Sequence, residues 1–262
     1  MLLAIDVGNS HAVFGLYDGK TWRAVWRRAT RPEDTEDEIA AWLQSLFSNQ
    51  GFDWFVQGAI CASVVPSVDQ ALVNLCKRWF RTDLHFLKGG QEVGLNVLYE
   101  PKSSVGADRL ANALGALERY SAPLIVVDFG TGTNFDVVDK NGSYIGGAIM
   151  PGVLVGSEAL FKRAAKLPHV QEIDLVAPKK AIGGNTVESL RSGIVLGYAA
   201  AIDGLVRRMS AELGSACEVV STGGLGSMFQ GTCETIQYFE PNLTLDGLVV
   251  AAKRLEVYRP EI

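Results

Sequence analysis

Apolar and polar positions change their period along this 262-residue chain in the same order twice. The apolar run Leu2 to Ile5 ends at Asp6 and a Gly8-Asn9-Ser10 turn; Val13 to Tyr17 follows and ends at Asp18-Gly19, and Trp22 to Arg27 reads as a third strand. Short apolar runs bounded by Gly, Asn and Asp are how strands joined by hairpins read. The spacing then becomes helical. Thr35-Glu36-Asp37-Glu38 has the form of a capping box, and Ile39, Trp42, Leu43, Leu46 and Phe47 follow on one face. A buried-type strand over 55–62, a helix opened by Pro66 with Ala71, Leu72, Leu75 and Cys76 inward, and a short strand at Leu84–Leu87 complete an order βββαβαβ.

A helix predicted from about Ser103 to Tyr120, with Leu110, Ala113, Leu114 and Leu117 on its apolar face, leads into the second pass. Leu124 to Val127 ends at Asp128 and Gly130-Thr131-Gly132-Thr133, and Phe135 to Val138 ends at Asp139-Lys140-Asn141-Gly142. A third strand closes near Ile149, before Pro151-Gly152. Helices are expected over Ser157–Lys166, Thr186–Leu213 and Leu245–Val257, and strands over Glu218–Ser221 and Thr235–Phe239. Laid over one another without a gap, Asp6 meets Asp128 and Gly8 meets Gly130. The pattern predicts an α/β protein of two duplicated domains with mixed sheets, residues 1–118 and 119–262, and a cleft between them.

Composition narrows the partners. A formal net charge of −5 is opposite to the basic excess of a nucleic-acid binder. Cys61, Cys76, Cys217 and Cys233 are widely spaced, with no CxxC pair, so neither structural zinc nor a disulfide framework is indicated. The longest apolar stretch, Gly193 to Val206, carries Asp203 and is shorter than the roughly 20 residues of a bilayer span. The N-terminus enters a strand directly. These features predict a soluble, cytoplasmic protein with no nucleic-acid or membrane partner.

An acid beside a glycine turn often does no more than stabilise the turn. Two at matched positions ask for a common ligand. Gly8 and Gly130 would let the backbone approach a phosphate, Asn9, Ser10, Thr131 and Thr133 would add neutral donors, and Asp6 would serve Mg²⁺, a cation that takes oxygen ligands. No GxxxxGK[ST] pattern is present, so these are not P-loops. They resemble the paired phosphate loops of the actin-like ATPase and sugar-kinase superfamily, whose domains are ribonuclease-H-like. Gly106-Ala107-Asp108-Arg109 stands at the start of the central helix. An acid there could merely serve the helix dipole, but facing a cleft it could accept a hydroxyl proton, with a guanidinium beside it for an anionic acceptor.

Seven motifs occur together and in order: Asp6-Val7-Gly8-Asn9-Ser10, Gly106-Ala107-Asp108-Arg109, Asp128-Phe129-Gly130-Thr131, Gly146 to Gly152, Ala165-Lys166-Leu167-Pro168, Gly184-Asn185-Thr186 and Thr222-Gly223-Gly224. Over essentially the whole chain they resemble the type III pantothenate kinases, which carry out the first step of coenzyme A synthesis. The resemblance implies ATP contacts from Asp6, Val7, Gly8, Asn9, Ser10, His11, Ala12, Val13 and Thr131. It implies pantothenate contacts from Tyr99, Gly106, Ala107, Asp108, Arg109 and Thr186, with Asp108 as general base. Asp6 would serve Mg²⁺, Asp128 would hold a monovalent cation, K⁺ or NH₄⁺, and the family's homodimeric state is expected. Ser10, Gly132 and Asn134 depart from the common pattern, the last two inviting looseness in the second loop. The alternatives are a non-catalytic nucleotide-binding accessory factor of the same fold, a kinase for another small hydroxy acid or sugar, or a filament-forming actin relative. His11, His85 and His169 have structural readings that suffice, while Lys166 is open to two readings, a reach to an anionic ligand or partner and a snorkelling surface lysine.

Overall fold

The computed structural model describes residues 1–163 and 175–259. The Ala165-Lys166-Leu167-Pro168 motif and His169 lie outside the described residues. The first pass consists of β1 (Leu2–Val7), β2 (His11–Tyr17), β3 (Trp22–Ala29), α1 (Glu36–Gln50), β4 (Gly58–Ser63), α2 (Pro66–Leu75), β5 (Leu84–Phe86) and α3 (Ala107–Arg119). The second consists of β6 (Leu124–Phe129), β7 (Gly132–Val138), β8 (Tyr144–Pro151), α4 (Val153–Arg163), α5 (Thr186–Arg191), α6 (Gly197–Leu213), β9 (Glu218–Gly223), α7 (Gly226–Phe229), β10 (Tyr238–Phe239) and α8 (Leu243–Arg254).

Duplication is visible in the strand order. One sheet runs β3-β2-β1-β4-β5 and the other β8-β7-β6-β9-β10. In both, the first three strands of the pass are antiparallel and the outer two are parallel to the first. Leu3, Ile5 and Val7 on β1 and Ala12, Phe14 and Leu16 on β2 alternate into one core with Ile39, Leu43 and Phe47 of α1. Ile125, Val127 and Phe129 on β6 and Phe135 and Val137 on β7 do the same against Ile194, Ile202 and Val206. The capping box of α1 forms as its residues predict: Glu38 N donates to Thr35 Oγ1 at 3.3 Å, and Thr35 N to Glu38 Oε2 at 2.9 Å.

The two turns differ by one residue. Asp6 pairs with Val13, whereas Asp128 pairs with Asn134. The ungapped match of Asp6 with Asp128 therefore holds up to the glycines and then slips. Val7 pairs with Ala12 and Phe129 with Thr133, which makes Ala12 and Thr133 equivalent.

The chain forms two compact units, dividing after Glu118, and α8 belongs to the first of them. The sequence places α8 in a domain of residues 119–262; packing places it with α3. A Cβ on Gly247 would overlap the carbonyl oxygen of Ala111, and one on Gly115 would lie 2.5 Å from that of Leu243, so the two helices touch backbone to backbone. Thr244 Oγ1 donates to Asn112 Oδ1 at 2.7 Å and Trp22 Nε1 to Asp246 Oδ1 at 2.7 Å, which ties α8 to α3 and to β3.

Helical spacing alone did not foresee two π turns, Cys76–Phe80 after α2 and Ser192–Leu196 between α5 and α6. The run Thr186–Leu213 is the one helical stretch among the described residues long and apolar enough to cross a membrane. Asp203 within it is 5% exposed and accepts hydrogen bonds from Glu234 N (3.0 Å), Thr235 N (2.9 Å) and Thr235 Oγ1 (2.6 Å). A carboxylate satisfied by three donors of its own unit belongs to a core helix, since burial without them would be costly.

Candidate active site

In the first unit the carboxyl ends of the parallel strands β1 and β4 lie side by side, Asp6 opposite Ala62 and Val7 opposite Ser63. Ligands of open α/β sheets gather at such ends. Val64 N donates to Val7 O at 3.0 Å, and a Cβ on Gly106 would lie 3.6 Å from Val64 Cγ1. The end of β1, the exit of β4 and the start of α3 therefore meet. Asp6 is half-buried there.

The turn after Asp6 is closed by Gly8 N donating to His11 O at 3.0 Å. Asn9, Ser10 and His11 are exposed, while Val7 and Ala12 point into the core, so those two can meet a ligand only through their backbone. Val13 is half-buried on β2. Arg27 Nη2 donates to His11 Nδ1 at 3.1 Å, which accounts for His11 without a catalytic role. Thr30 was not foreseen. Its Oγ1 donates to Gly8 O at 2.7 Å and its N to Ser10 O at 3.0 Å. Only the return of β3 alongside β2 brings Thr30 to this turn, and no local motif marks it.

At the start of α3, Asp108 Oδ1 accepts from Arg109 N at 2.9 Å. A Cβ on Gly106 would collide with that same Oδ1, so glycine at 106 leaves the space the carboxylate occupies. Burial pushes the Asp108 carboxyl above its ordinary range; the amide and the charge of Arg109 oppose this and are outweighed. A carboxylate held so is a stronger base than a free aspartate. Arg109 is 8% exposed, on a helix whose residues 109–116 are all buried. Tyr99 is half-buried in the segment that leads to α3.

In the second unit Asp128, half-buried, is the last residue but one of β6 and lies opposite Thr222 on β9, and Phe129 is opposite Gly223. Gly223 has φ +86°, and a Cβ there would lie 2.6 Å from Asp128 Oδ1 and 2.6 Å from Phe129 O. Thr131 is exposed, and the turn closes by Gly130 N donating to Gly132 O at 2.9 Å. Gly132, expected to loosen this turn, is instead the first residue of β7 and is paired with Pro151. Thr133, expected to add a donor, is fully buried and alternates with Phe135 and Val137, on the core face. Thr186 is the exposed first residue of α5, behind the N-cap Asn185, whose Oδ1 accepts from Glu188 N at 3.0 Å.

Asp6, the first turn, Tyr99 and Gly106 to Arg109 are thus features of the first unit, and Asp128, Thr131, Thr186 and Thr222 to Gly224 of the second. Gly8 and Gly130 are not demanded by their own surroundings. Neither has a left-handed φ, and the nearest atom to an added Cβ is 3.4 Å away in each case.

A family model described as type III pantothenate kinase matches residues 2–208. Among curated relatives, the type III pantothenate kinase of Thermomicrobium roseum is 46% identical over 97% of this chain and 98% of its own length. That of Roseiflexus castenholzii is 44% identical over 95% of this chain and 96% of its own. Among solved structures, component A of (R)-2-hydroxyglutaryl-CoA dehydratase from Acidaminococcus fermentans is similar over 96% of this chain and 95% of its own, with a TM-score of 0.57 at 17% identity. The activator of 2-hydroxyisocaproyl-CoA dehydratase from Clostridium difficile is similar over 97% of this chain and 96% of its own, with a TM-score of 0.56 at 11% identity. At these identities the structures speak for the fold alone. The sequence relatives speak for more: the chain belongs to the type III pantothenate kinase family.

Proposed function

We infer that this chain transfers the γ-phosphoryl group of ATP to the primary hydroxyl of pantothenate, giving 4′-phosphopantothenate, the first committed product on the way to coenzyme A. Family membership over nearly the whole chain supports the activity and does not favour a non-catalytic accessory factor or a kinase for another acid. The observation that carries the mechanism is Asp108: a carboxylate at the start of α3, raised in basicity by burial and given room by Gly106.

Phosphoryl transfer asks the protein chiefly for position and charge. Asp108 accepts the hydroxyl proton as the γ-phosphoryl group arrives, and Arg109 orients the pantothenate carboxylate, with Tyr99, Gly106 and Ala107 as further pantothenate contacts; Thr186 is assigned such a contact by the family resemblance alone. The Gly8-Asn9-Ser10 turn and its flanks Asp6, Val7, His11, Ala12 and Val13 serve ATP, together with Thr131. Glycine at 8 and 130, which the chain itself does not need, suits backbone that a phosphate must approach.

Mg²⁺, when bound, would supply positive charge to offset that of the transferring phosphates, and Asp6 would hold it. The half-buried carboxylate of Asp6 fits it, because this ion keeps most of its waters and takes one or two protein carboxylates. Asp128, hemmed in by Gly223, is the group for K⁺ or NH₄⁺. A cytoplasmic homodimer is the working state in this reading.

Coupled ADP release with pantothenate as acceptor tests the reading. ATP turnover that depends on pantothenate is expected. Nucleotide binding with no pantothenate-dependent turnover would overturn it.

A further inference from the structure

The two units hold their turns in the same way, and one residue differs. Because Ala12 is equivalent to Thr133, the register of the third strands follows: Ala12 pairs with Arg28 and His11 with Ala29, while Thr133 pairs with Met150 and Gly132 with Pro151. Ala29 is thus equivalent to Pro151, and Thr30 to Gly152. Each residue past that pair donates its amide to the last residue of its turn, Thr30 N to Ser10 O at 3.0 Å and Gly152 N to Thr131 O at 3.0 Å.

This repeated bond fastens the third strand of each unit over its own turn. At Gly152 the fastening is so close that a Cβ would lie 2.8 Å from Gly130 O and would overlap Thr131 O. The first turn is one residue longer and leaves room for a side chain. Thr30 fills that room and adds a second bond, Oγ1 to Gly8 O at 2.7 Å, in a partly buried place. Its two bonds bracket Asn9, the exposed tip of the turn.

We propose that Thr30 is a positioning residue for the nucleotide: its hydroxyl holds the Gly8-Asn9-Ser10 backbone in the shape that receives ATP. The inference rests on the reading that this turn serves ATP. A bond between a threonine hydroxyl and a carbonyl could equally be a plain structural tie. Loss of a plain structural tie would lower thermal stability without distinguishing between substrates, whereas loss of a bond that shapes the turn for ATP shows in the Michaelis constant for ATP alone.

The experiment compares Thr30→Val, Thr30→Ala and Thr30→Ser with the parent enzyme, with circular dichroism to establish folding. Thr30→Val, or Thr30→Ala if valine does not fold, is expected to raise KM for ATP about five- to tenfold and leave KM for pantothenate within twofold; this follows from one lost hydrogen bond of about 1 kcal/mol. Thr30→Ser restores the hydroxyl and should return KM for ATP to within twofold of the parent. An unchanged KM for ATP, an equal rise for both substrates, or no rescue by serine would each overturn the proposal.

A parallel Gly8→Ala variant separates two kinds of failure. Its methyl group fits the chain but intrudes on any phosphate against the turn. A raised KM for ATP in Gly8→Ala beside an unaffected Thr30→Val removes the role of Thr30 alone. No effect in Gly8→Ala removes the ATP reading of the turn and this proposal with it.

Discussion

Gly223 passes Asp128 so closely that a methyl group on it would lie 2.6 Å from the carboxylate oxygen Oδ1, and it does so in a left-handed conformation, φ +86°. Alanine at 223 must therefore shift both its own backbone and Asp128. Gly223→Ala is expected to lower stability by about 1–3 kcal/mol, the range for a side chain forced into such a conformation. The activity lost should exceed what the unfolded fraction explains, because Asp128 moves too. A thermal melt read beside a rate at a temperature where the variant is fully folded separates the two effects.

Asp128 itself is tested by its ion. If it holds K⁺ or NH₄⁺, the rate should be several-fold higher in potassium than in sodium-only buffer, and Asp128→Asn should abolish that difference. Equal rates of the parent enzyme in the two buffers would count against the assignment.

Asp108 gives the third prediction, in which the pH sign matters. Burial raises its carboxyl above the ordinary aspartate range. The basic form needed for proton acceptance is therefore lost at a higher pH than for a free aspartate. kcat/KM should fall on the acid side through an apparent pKa above the usual aspartate value. For stability, a raised carboxyl pKa means that the group stabilises the fold most when protonated, below its unfolded pKa, and that this contribution is lost as pH rises through the folded pKa. Asp108→Asn should consequently fold at pH 7 with a Tm no lower than that of the parent. It should bind ATP and lose on the order of 10²–10⁴ in turnover. Near-normal turnover would reject Asp108 as the base.

Much of this was legible along the chain because it is local. The turns after Asp6 and Asp128, the capping box at Thr35 and the GADR element at the start of α3 each occupy a few consecutive residues. Element order was readable for the same reason, through period and punctuation. What escaped reading depends on distant neighbours. Thr30 reaches its turn only through strand pairing, α8 joins the first unit only because Gly115 and Gly247 let two helices touch, and the one-residue slip between the turns appears only in the register. The π turns at Cys76 and Ser192 keep the apolar spacing of a helix closely enough that period alone does not separate them.

Three of the four thiols are shut away. Cys61, Cys76 and Cys233 are buried, and burial raises the pKa of each, to about 12 for Cys76 and Cys233. Cys217 is half-buried. Since thiolate and access both govern reactivity, the native protein should release one equivalent of thiol to a disulfide reagent quickly and the remainder only on unfolding. Cys217→Ser should remove the fast phase. Rapid reaction of two or more thiols in the folded enzyme would contradict the burial of this core.

Thr133 supplies a prediction of opposite sign to most substitutions. It is fully buried on the core face of β7, and its hydroxyl finds no hydrogen-bond partner among the described residues. Its equivalent in the first unit is Ala12, an apolar residue in the same core position. A buried hydroxyl left unsatisfied costs about 1–3 kcal/mol relative to an apolar group of the same shape, and valine differs from threonine only in replacing that hydroxyl by a methyl group. Thr133→Val should therefore stabilise the protein by about 1 kcal/mol, seen as a higher urea midpoint at unchanged slope. KM for ATP should stay unchanged, because the side chain faces away from the turn. A lower midpoint would mean that the hydroxyl is satisfied after all, and a raised KM for ATP would return Thr133 to the phosphate loop, where the sequence had placed it.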